Sequence, residues 1–342
     1  MKKIAVIGST GYVGGELVRL LLQHPKVELS VVTSKTYRGE AYDDVYPHFK
    51  KNINLICQEE LEDDYDLIFL ALPHGHSSKW VSEERLKRSK IIDLGADYRL
   101  PYSLYKDWYT EEHDSKALID QAVYGLSEWN REKIRDARLI ANPGCYVTAS
   151  LLTLLPLLKE KIIGPEDIII DAKTGLTGAG RGLSLDSHYT EANENTKAYN
   201  LFGHRHKPEI DETILKLTGY KTNVLFTPHL VPMNRGILAT VYANLAGGVT
   251  QKRVREVYES YYGHEGFIRL LKDGHYAQTR WVKGSNYCDI SFQVNEDSNK
   301  LICVTAIDNI LKGAAGQALQ NMNISMGFEE DMGLQMIPSF PI

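Results

Sequence analysis

The chain has 342 residues, more than one hydrophobic core usually covers, so two domains are expected, each large enough to bury a core of its own. Apolar residues make up 43% and charged residues 24%, with 39 Lys and Arg against 44 Asp and Glu, a formal net charge of −5. That mild acidity gives no electrostatic footprint for nucleic acid or a membrane surface and leaves small molecules as the expected partners. The N-terminal MKKIAVIGSTGYVGG puts two lysines before an apolar run, but the run is four residues long and enters glycines, so it does not read as a signal peptide. No window approaches the roughly 18 apolar residues of a membrane span. Four widely spaced cysteines without a CxxC pattern argue for neither a disulfide framework nor a cysteine zinc site, and a reducing cytoplasm fits best.

In chain order, KIAVIG, VELSVVTS, DLIFLALP, KIIDLGA and ARLIANPG are continuous apolar runs, the pattern of strands buried on both faces of a parallel sheet. Between them, YVGGELVRLLLQH sets Val13, Leu17, Leu20 and Leu21 on one helical face, with Pro25 beyond as a stop. SSKWVSEERLKRS reads as a second helix, placing Trp80, Val81 and Leu86 among charges behind serine caps. The alternation predicts a Rossmann-type, doubly wound α/β domain over residues 1–143, with ligands at the carboxyl ends of its strands. Over residues 97–130 the pattern lapses into a stretch rich in Tyr, Trp and charge, whose aromatics read as loop packing. Beyond it come EDIIIDAKTG, NVLFTPHLVP, GILATVYANL, NYCDISFQVN and KLICVTAIDN, the last of which alternate apolar and polar residues as half-solvated strands do. With the helical stretches PEIDETILKLTG and TQKRVREVYESYYG, residues 144–309 read as an α+β domain with a mostly antiparallel sheet. The final LKGAAGQALQNMNISMG, about residues 310–330, is helix-like and is expected to return and complete the first domain.

Gly8, Gly11 and Gly14 in IGSTGYVGGEL lie directly after a strand and open a helix, which is where glycines let a backbone approach a pyrophosphate and a helix N-terminus offers unpaired N–H groups. NAD-specific folds carry an acidic residue about 20 positions on, at the end of the second strand, to hold the ribose 2′-hydroxyl. Here that strand ends in Ser34, with Lys35 and Arg38 close behind, a hydroxyl and two cations that suit a 2′-phosphate and point to NADP.

Three of the cysteines, Cys57, Cys288 and Cys303, sit inside apolar runs that read as strands, where a thiol behaves as a small hydrophobe. Cys145 alone follows Asn-Pro-Gly and opens a long apolar run, so it is expected at the first turn of a helix, where the dipole favours a thiolate. A nucleophilic thiol beside a nicotinamide implies acyl chemistry through a thioester, and such chemistry needs a proton carrier. GHRHKPEI clusters His204, Arg205 and His206 before Pro208, itself expected to begin a helix; the arginine suits an anionic substrate group. His74 and His76 form a second His-x-His pair and raise zinc chemistry, but no HExxH and no acidic residue at ligand spacing supports it, so no metal is expected. TGLTGAGRG is a second glycine-rich loop after a strand, with Arg181 as an anion ligand.

GSTGYVGGEL, LPHGHS, DLGADYRL, VYGLSE, NPGCY, TGLTGAGRG, AYNLFGHRHKPEI, FTPHLVPMNRGILATVYA and NILKGAAGQALQN, together and in this order, resemble the N-acyl-gamma-glutamyl-phosphate reductases of arginine biosynthesis, within the aspartate-semialdehyde dehydrogenase-like superfamily. The resemblance covers essentially the whole chain. It implies a semialdehyde dehydrogenase-like fold and NADPH-dependent reduction of N-acetyl-gamma-glutamyl phosphate to the 5-semialdehyde, with phosphate expelled as Cys145 forms a thioester. It implies a histidine proton carrier, either His206 or His204, with His206 preferred because it lies nearer the helix start. Carried over in the same way, Gly8, Thr10, Gly11 and Gly14 would line the cofactor, Ser34 and Arg38 its 2′-phosphate, and Gly178 and Asn309 its nicotinamide. Arg99, Asn142, Arg181 and Arg205 are the candidates for the substrate's carboxylate and phosphate, and a homo-oligomer, dimer or tetramer, is the family expectation. An N-succinyl or carrier-linked substrate, an aspartate-semialdehyde dehydrogenase and a non-catalytic NADP sensor are the alternatives.

Overall fold

The computed structural model describes residues 1–110 and 112–339. The chain divides into two compact units, one formed by Met1–Pro143 with Ala314–Gln335 and the other by Gly144–Gly313 with the segment from Met336. Among the described residues no helix is long and apolar enough to cross a membrane.

The first unit is built on six parallel strands, β1 (Lys2–Ile7), β2 (Val27–Val32), β3 (Leu67–Leu70), β4 (Lys90–Asp93), β5 (Val123–Tyr124) and β6 (Leu139–Ala141), in the order β2-β1-β3-β4-β6-β5. The order reverses between β1 and β3, whose register pairs Ile4 with Leu67 and Val6 with Phe69. At such a reversal the connections leave in opposite directions and open a crevice at the carboxyl ends. Ile4–Ile7 and Leu67–Leu70 are buried throughout, which is why their sequences are unbroken apolar runs. Helix Tyr12–Leu21 buries Leu17, Val18, Leu20 and Leu21.

Three local expectations need correction. SSKWVSEERLKRS is not one helix but a 3-10 turn, Ser77–Trp80, followed by helix Glu83–Arg88, because the Ser82 hydroxyl accepts from Arg85 N at 3.2 Å and restarts the chain with a cap. Cys57 is buried but lies between isolated bridges at Ile56 and Gln58, outside any strand. The stretch read as irregular holds helix Tyr102–Trp108, the short β5 and the start of helix Ser127–Asp136; its aromatics do pack, with Tyr105 and Tyr109 stacked 4.7 Å apart.

Helix Ser127–Asp136 escapes hydrophobic periodicity because its partner, helix Gly316–Met326, meets it through polar groups. Asn321 donates to Gly125 O at 2.8 Å and accepts from Ser127 Oγ at 2.8 Å, and Arg131 Nε lies 2.7 Å from Glu330 Oε2. Gly316–Ser325 is buried on every side, Gln317, Gln320, Asn321 and Asn323 included, and the side-chain NH2 group of each of the four finds an acceptor within the unit.

The second unit holds a seven-stranded sheet of β7 (Ile169–Thr174), β8 (Lys197–Ala198), β9 (Leu225–Leu230), β10 (Ile237–Asn244), β11 (Ile268–Leu270), β12 (Cys288–Asn295) and β13 (Lys300–Ile307), ordered β11-β12-β13-β10-β7-β9-β8. Only the β11–β12 and β7–β9 pairs are parallel. Helix Cys145–Lys159 is buried from Tyr146 to Leu158 and packs on β10, β13 and the helices His206–Thr218 and Gln251–Tyr262. Pro156 inside it has no N–H for the Leu152 carbonyl, and the Tyr262 hydroxyl donates to that carbonyl instead, at 2.8 Å. On the sheet's other face Leu225, Ile169, Tyr242 and Ile302 stand in register across β9, β7, β10 and β13, each between 37% and 42% exposed.

Candidate active site

The glycine loop is shaped by what its residues lack. Gly8 has φ +77°, and a Cβ there would lie 2.4 Å from the Ala71 carbonyl oxygen at the end of β3. A Cβ on Gly14 would lie 2.2 Å from Gly8 O, so only glycine lets helix Tyr12–Leu21 start this close to the loop. Gly11 N donates to Gly8 O at 3.2 Å, and Ser9 N to Thr33 O at 3.0 Å, tying the loop to the end of β2. The hydroxyls of Thr10 and Ser34 are 2.8 Å apart, and Ser34 Oγ accepts from Tyr37 N at 3.2 Å. Ser34 is buried; Lys35 and Arg38 are exposed, and Arg38 pairs with Glu59. A backbone cradle at a helix N-terminus, with a hydroxyl and cations where an acidic residue would otherwise stand, fits a dinucleotide bearing a 2′-phosphate.

Elsewhere in this unit Arg99 and Asn142 come together at the carboxyl ends of β4 and β6. Arg99 Nε donates to Asn142 O at 2.8 Å and its Nη2 to Leu94 O at 2.8 Å. The Asn142 side chain donates to Ala314 O at 3.3 Å and accepts from Asn321 at 3.1 Å, which links β6 to the C-terminal helix. Asp93, fully buried at the end of β4, is pushed up to about 7, by burial first and by the neighbouring Asp97 second.

In the second unit Cys145 is the first residue of its helix, half-buried behind Gly144, while the other three cysteines are buried. Helix His206–Thr218 meets this turn with its opening residues. It begins at His206, two residues before Pro208, because a first-turn N–H has no intrahelical acceptor and proline loses nothing there. The Glu209 carboxylate, 1% exposed, accepts from Gly144 N at 2.9 Å. A Cβ on Gly144 would lie 2.4 Å from His206 Nε2, so that ring nitrogen rests against the residue preceding the thiol. On another side, a Cβ on Gly313 would lie 2.8 Å from the Cys145 Cβ. Gly313 N donates to Asp308 O at 3.0 Å, and the fully buried Asp308 carboxylate accepts from Arg235 Nε at 3.2 Å, Gly284 N at 2.8 Å and Ile310 N at 2.9 Å.

The two histidines of the cluster are not equivalent. His204 Nδ1 accepts from the His206 backbone N–H at 3.1 Å, leaving Nε2 to carry the proton toward the Tyr199 hydroxyl at 3.3 Å. Tyr199 donates to the Tyr146 hydroxyl at 3.5 Å, and Tyr146 to the His229 carbonyl at 3.1 Å, so every donor in the chain points one way and ends on a carbonyl. Burial, with Arg205 second, lowers His204 to about 4, and burial pushes Tyr199 up to about 12. His204 is therefore neutral at pH 7 with a fixed tautomer.

Gly178 lies in the turn Leu176–Ala179, and Asn309 braces that turn, donating to Thr177 Oγ1 at 3.0 Å and accepting from Gly236 N at 2.7 Å. Arg181 and Arg205 are exposed. No group of His, Cys, Asp or Glu suited to a metal occurs among the described residues, and His74 and His76 follow the carboxyl end of β3. Sequence reading left Asp308, Arg235, Tyr146, Tyr199 and Glu209 without a role. The Asp308–Arg235 pair spans 73 residues, Tyr146 reaches His229 across 83 and Glu209 reaches Gly144 across 65, so these carry no local signal.

Residues 3–137 match the family described as semialdehyde dehydrogenase, NAD binding domain, and residues 145–309 the one described as semialdehyde dehydrogenase, dimerisation domain. The chain is 49% identical over 337 residues to the N-acetyl-gamma-glutamyl-phosphate reductase of Pelotomaculum thermopropionicum, covering 97% of each chain. It is 48% identical over 346 residues to the protein of the same name from Lachnoclostridium phytofermentans, covering 100% of each. Among solved structures, aspartate semialdehyde dehydrogenase II from Vibrio cholerae, complexed with ASA, superposes with a TM-score of 0.74 at 17% identity, over 96% of this chain and 98% of that one. At that identity the likeness speaks for the fold.

Proposed function

The chain belongs to the semialdehyde dehydrogenase family, with relatives named N-acetyl-gamma-glutamyl-phosphate reductase along its whole length, and on that premise we propose that it reduces N-acetyl-gamma-glutamyl phosphate to N-acetylglutamate 5-semialdehyde in arginine biosynthesis. The observation that carries the reading is the placement of His206 Nε2 and the Glu209 carboxylate against Gly144, immediately before a half-buried Cys145 at a helix N-terminus. The Cys145 thiolate attacks the acyl-phosphate carbonyl; the C–O bond to phosphate breaks, phosphate leaves with the electron pair, and a thioester remains. NADPH, when bound, would supply hydride to the thioester carbonyl, and His206 would protonate the resulting oxyanion to a thiohemiacetal. His206 then takes the hydroxyl proton as the C–S bond breaks, releasing the aldehyde and restoring the thiolate. His204, neutral and tautomer-fixed, orients the segment that carries His206. Gly8, Thr10, Gly11 and Gly14 would hold the pyrophosphate, and Ser34 with Arg38 the 2′-phosphate, for which Arg38 would have to leave Glu59. A reducing compartment suits a working thiol.

The semialdehyde-oxidation assay in the presence of phosphate tests this, with N-acetyl and N-succinyl semialdehydes and with NADP and NAD run side by side. Cys145→Ala should lose at least about 10³-fold in kcat and His206→Asn about 10²-fold, with NADPH binding retained in both. Unchanged turnover in Cys145→Ala would sink the mechanism, and a preference for the succinyl substrate would move the specificity.

Self-association is assigned to the exposed row Leu225, Ile169, Tyr242 and Ile302, an apolar band across four strands in a segment whose family is described by dimerisation. Tyr242→Lys should shift the sedimenting species toward monomer. A wild-type protein that sediments as a monomer would remove the assignment.

A further inference from the structure

We propose that Glu209 is the positioning residue of the thiol–imidazole pair: it clamps His206 against the Cys145 turn, and its negative charge sets the pH range in which the pair reacts. The proposal deepens the reading of Cys145 and His206 given above and rests on it. Two contacts join helix His206–Thr218 to the turn. Glu209 Oε1 accepts from Gly144 N at 2.9 Å, and the His206 ring rests on the same residue, where a Cβ would come within 2.4 Å of Nε2. His206 and Glu209 are three residues apart on one helix and share a face, so both approach the turn from the same side. The hydrogen bond restrains the peptide immediately before the thiol, and through the helix backbone it restrains the ring that serves the thiol.

The carboxylate is 1% exposed, so solvent screens its charge little. Other ionisable groups reach the turn from each packed element. His204 and Arg205 come from the segment leading into the same helix, and Tyr146 and Tyr199 from the hydroxyl chain. Lys312 and Asp308 come with the segment that carries Gly313; Asp308 is matched by Arg235, and the Lys312 ammonium lies 5.6 Å from the centre of the Phe267 ring. The Glu209 carboxylate reaches the turn directly, through its hydrogen bond from Gly144 N. Its charge opposes a thiolate at Cys145 and favours an imidazolium at His206, so removing the charge should move the titration of both to lower pH.

The experiment uses the full chain without substrate or cofactor. Alkylation by iodoacetamide is followed against pH in wild type and Glu209→Gln, with Cys145→Ala as the blank for the buried cysteines. Glu209→Gln keeps an oxygen to accept the Gly144 N–H and loses only the charge, so its alkylation midpoint should fall by about 0.5–1 pH unit. Its kcat–pH profile should move the same way with KM for NADPH unchanged. Glu209→Ala, which also loses the clamp, should lose about 10-fold or more in kcat while retaining the wild-type circular dichroism. Superimposable alkylation profiles for wild type and Glu209→Gln would overturn the electrostatic role, and a wild-type kcat in Glu209→Ala would overturn the clamp. Should Glu209→Ala fail to fold, Glu209→Met, which fills the same space but cannot accept the Gly144 N–H, replaces it in the kcat test of the clamp, and the Gln variant decides the electrostatic role through its alkylation profile. A shifted alkylation profile in a protein that reduces no acyl phosphate would leave the electrostatic role of Glu209 standing and remove the function.

Discussion

The Gly8–Gly14 loop and the Cys145 turn both hand the chain over to a helix N-terminus, yet they are held in opposite ways. The loop takes its shape from missing side chains: Gly8 and Gly14 leave room for backbone at 2.4 and 2.2 Å from where a Cβ would sit. Its main ties run to the ends of β2 and β3, the neighbouring strands. The turn takes its shape from side chains brought from far along the sequence. Glu209 reaches Gly144 across 65 residues, and the Asp308 segment presents Gly313 to the thiol from the end of β13. A loop of the first kind is a motif that fails locally. A turn of the second kind is an assembly, and it can fail through residues that touch neither substrate nor thiol.

The largest effect that separates the two should come from Asp308. Asp308→Ala removes the acceptor for Arg235, Gly284 N and Ile310 N at once and leaves a guanidinium facing a cavity. Breaking a fully buried pair in this way costs about 3–5 kcal/mol, and with Arg235 22% exposed the loss here should fall at or below the lower end, about 2–3 kcal/mol. Denaturant unfolding should show that loss, and Cys145 alkylation should slow in the same variant because the carboxylate braces the backbone whose carbonyl at residue 308 holds Gly313 N. A variant within about 1 kcal/mol of wild type, alkylated at the normal rate, would mean that the turn does not depend on this brace.

This difference also governs what could be read in advance. The alternating strands and helices of the first unit, the glycine loop and the cysteine at a helix start were legible because each is written within a few consecutive residues. Helix Ser127–Asp136 was not, since its burial rests on Arg131, Ser127 and Glu128 meeting Glu330, Asn321 and Gln320 rather than on an apolar stripe. The two-residue strands β5 and β8 are too short to carry a period. Cys57 looked like a strand thiol because its neighbours are apolar, but its chain makes only single bridges. The unequal histidines could be ranked in advance only by nearness to the helix start, because the contacts that set them apart, Tyr199 and the His206 amide on His204 and Gly144 against the His206 ring, come from the fold.

The smaller effect comes from the loop and bears on the comparison from the other side. In Gly14→Ala the new Cβ would sit 2.2 Å from Gly8 O and 2.8 Å from the Ser9 Cα, both backbone, so the loop must open by a fraction of an ångström. The N–H groups proposed to face a pyrophosphate would move with it, and NADPH affinity should fall about 10- to 100-fold by titration calorimetry, equivalent to about 1.4–2.8 kcal/mol. Nothing in the Glu209, His206 and Asp308 contacts runs through Gly14, so Cys145 alkylation in the same variant should stay within about twofold of wild type. Loss of both together would show that the loop's distortion spreads to the thiol and that the two sites are one cooperative structure; loss of binding alone would establish the loop as the self-contained motif its sequence describes.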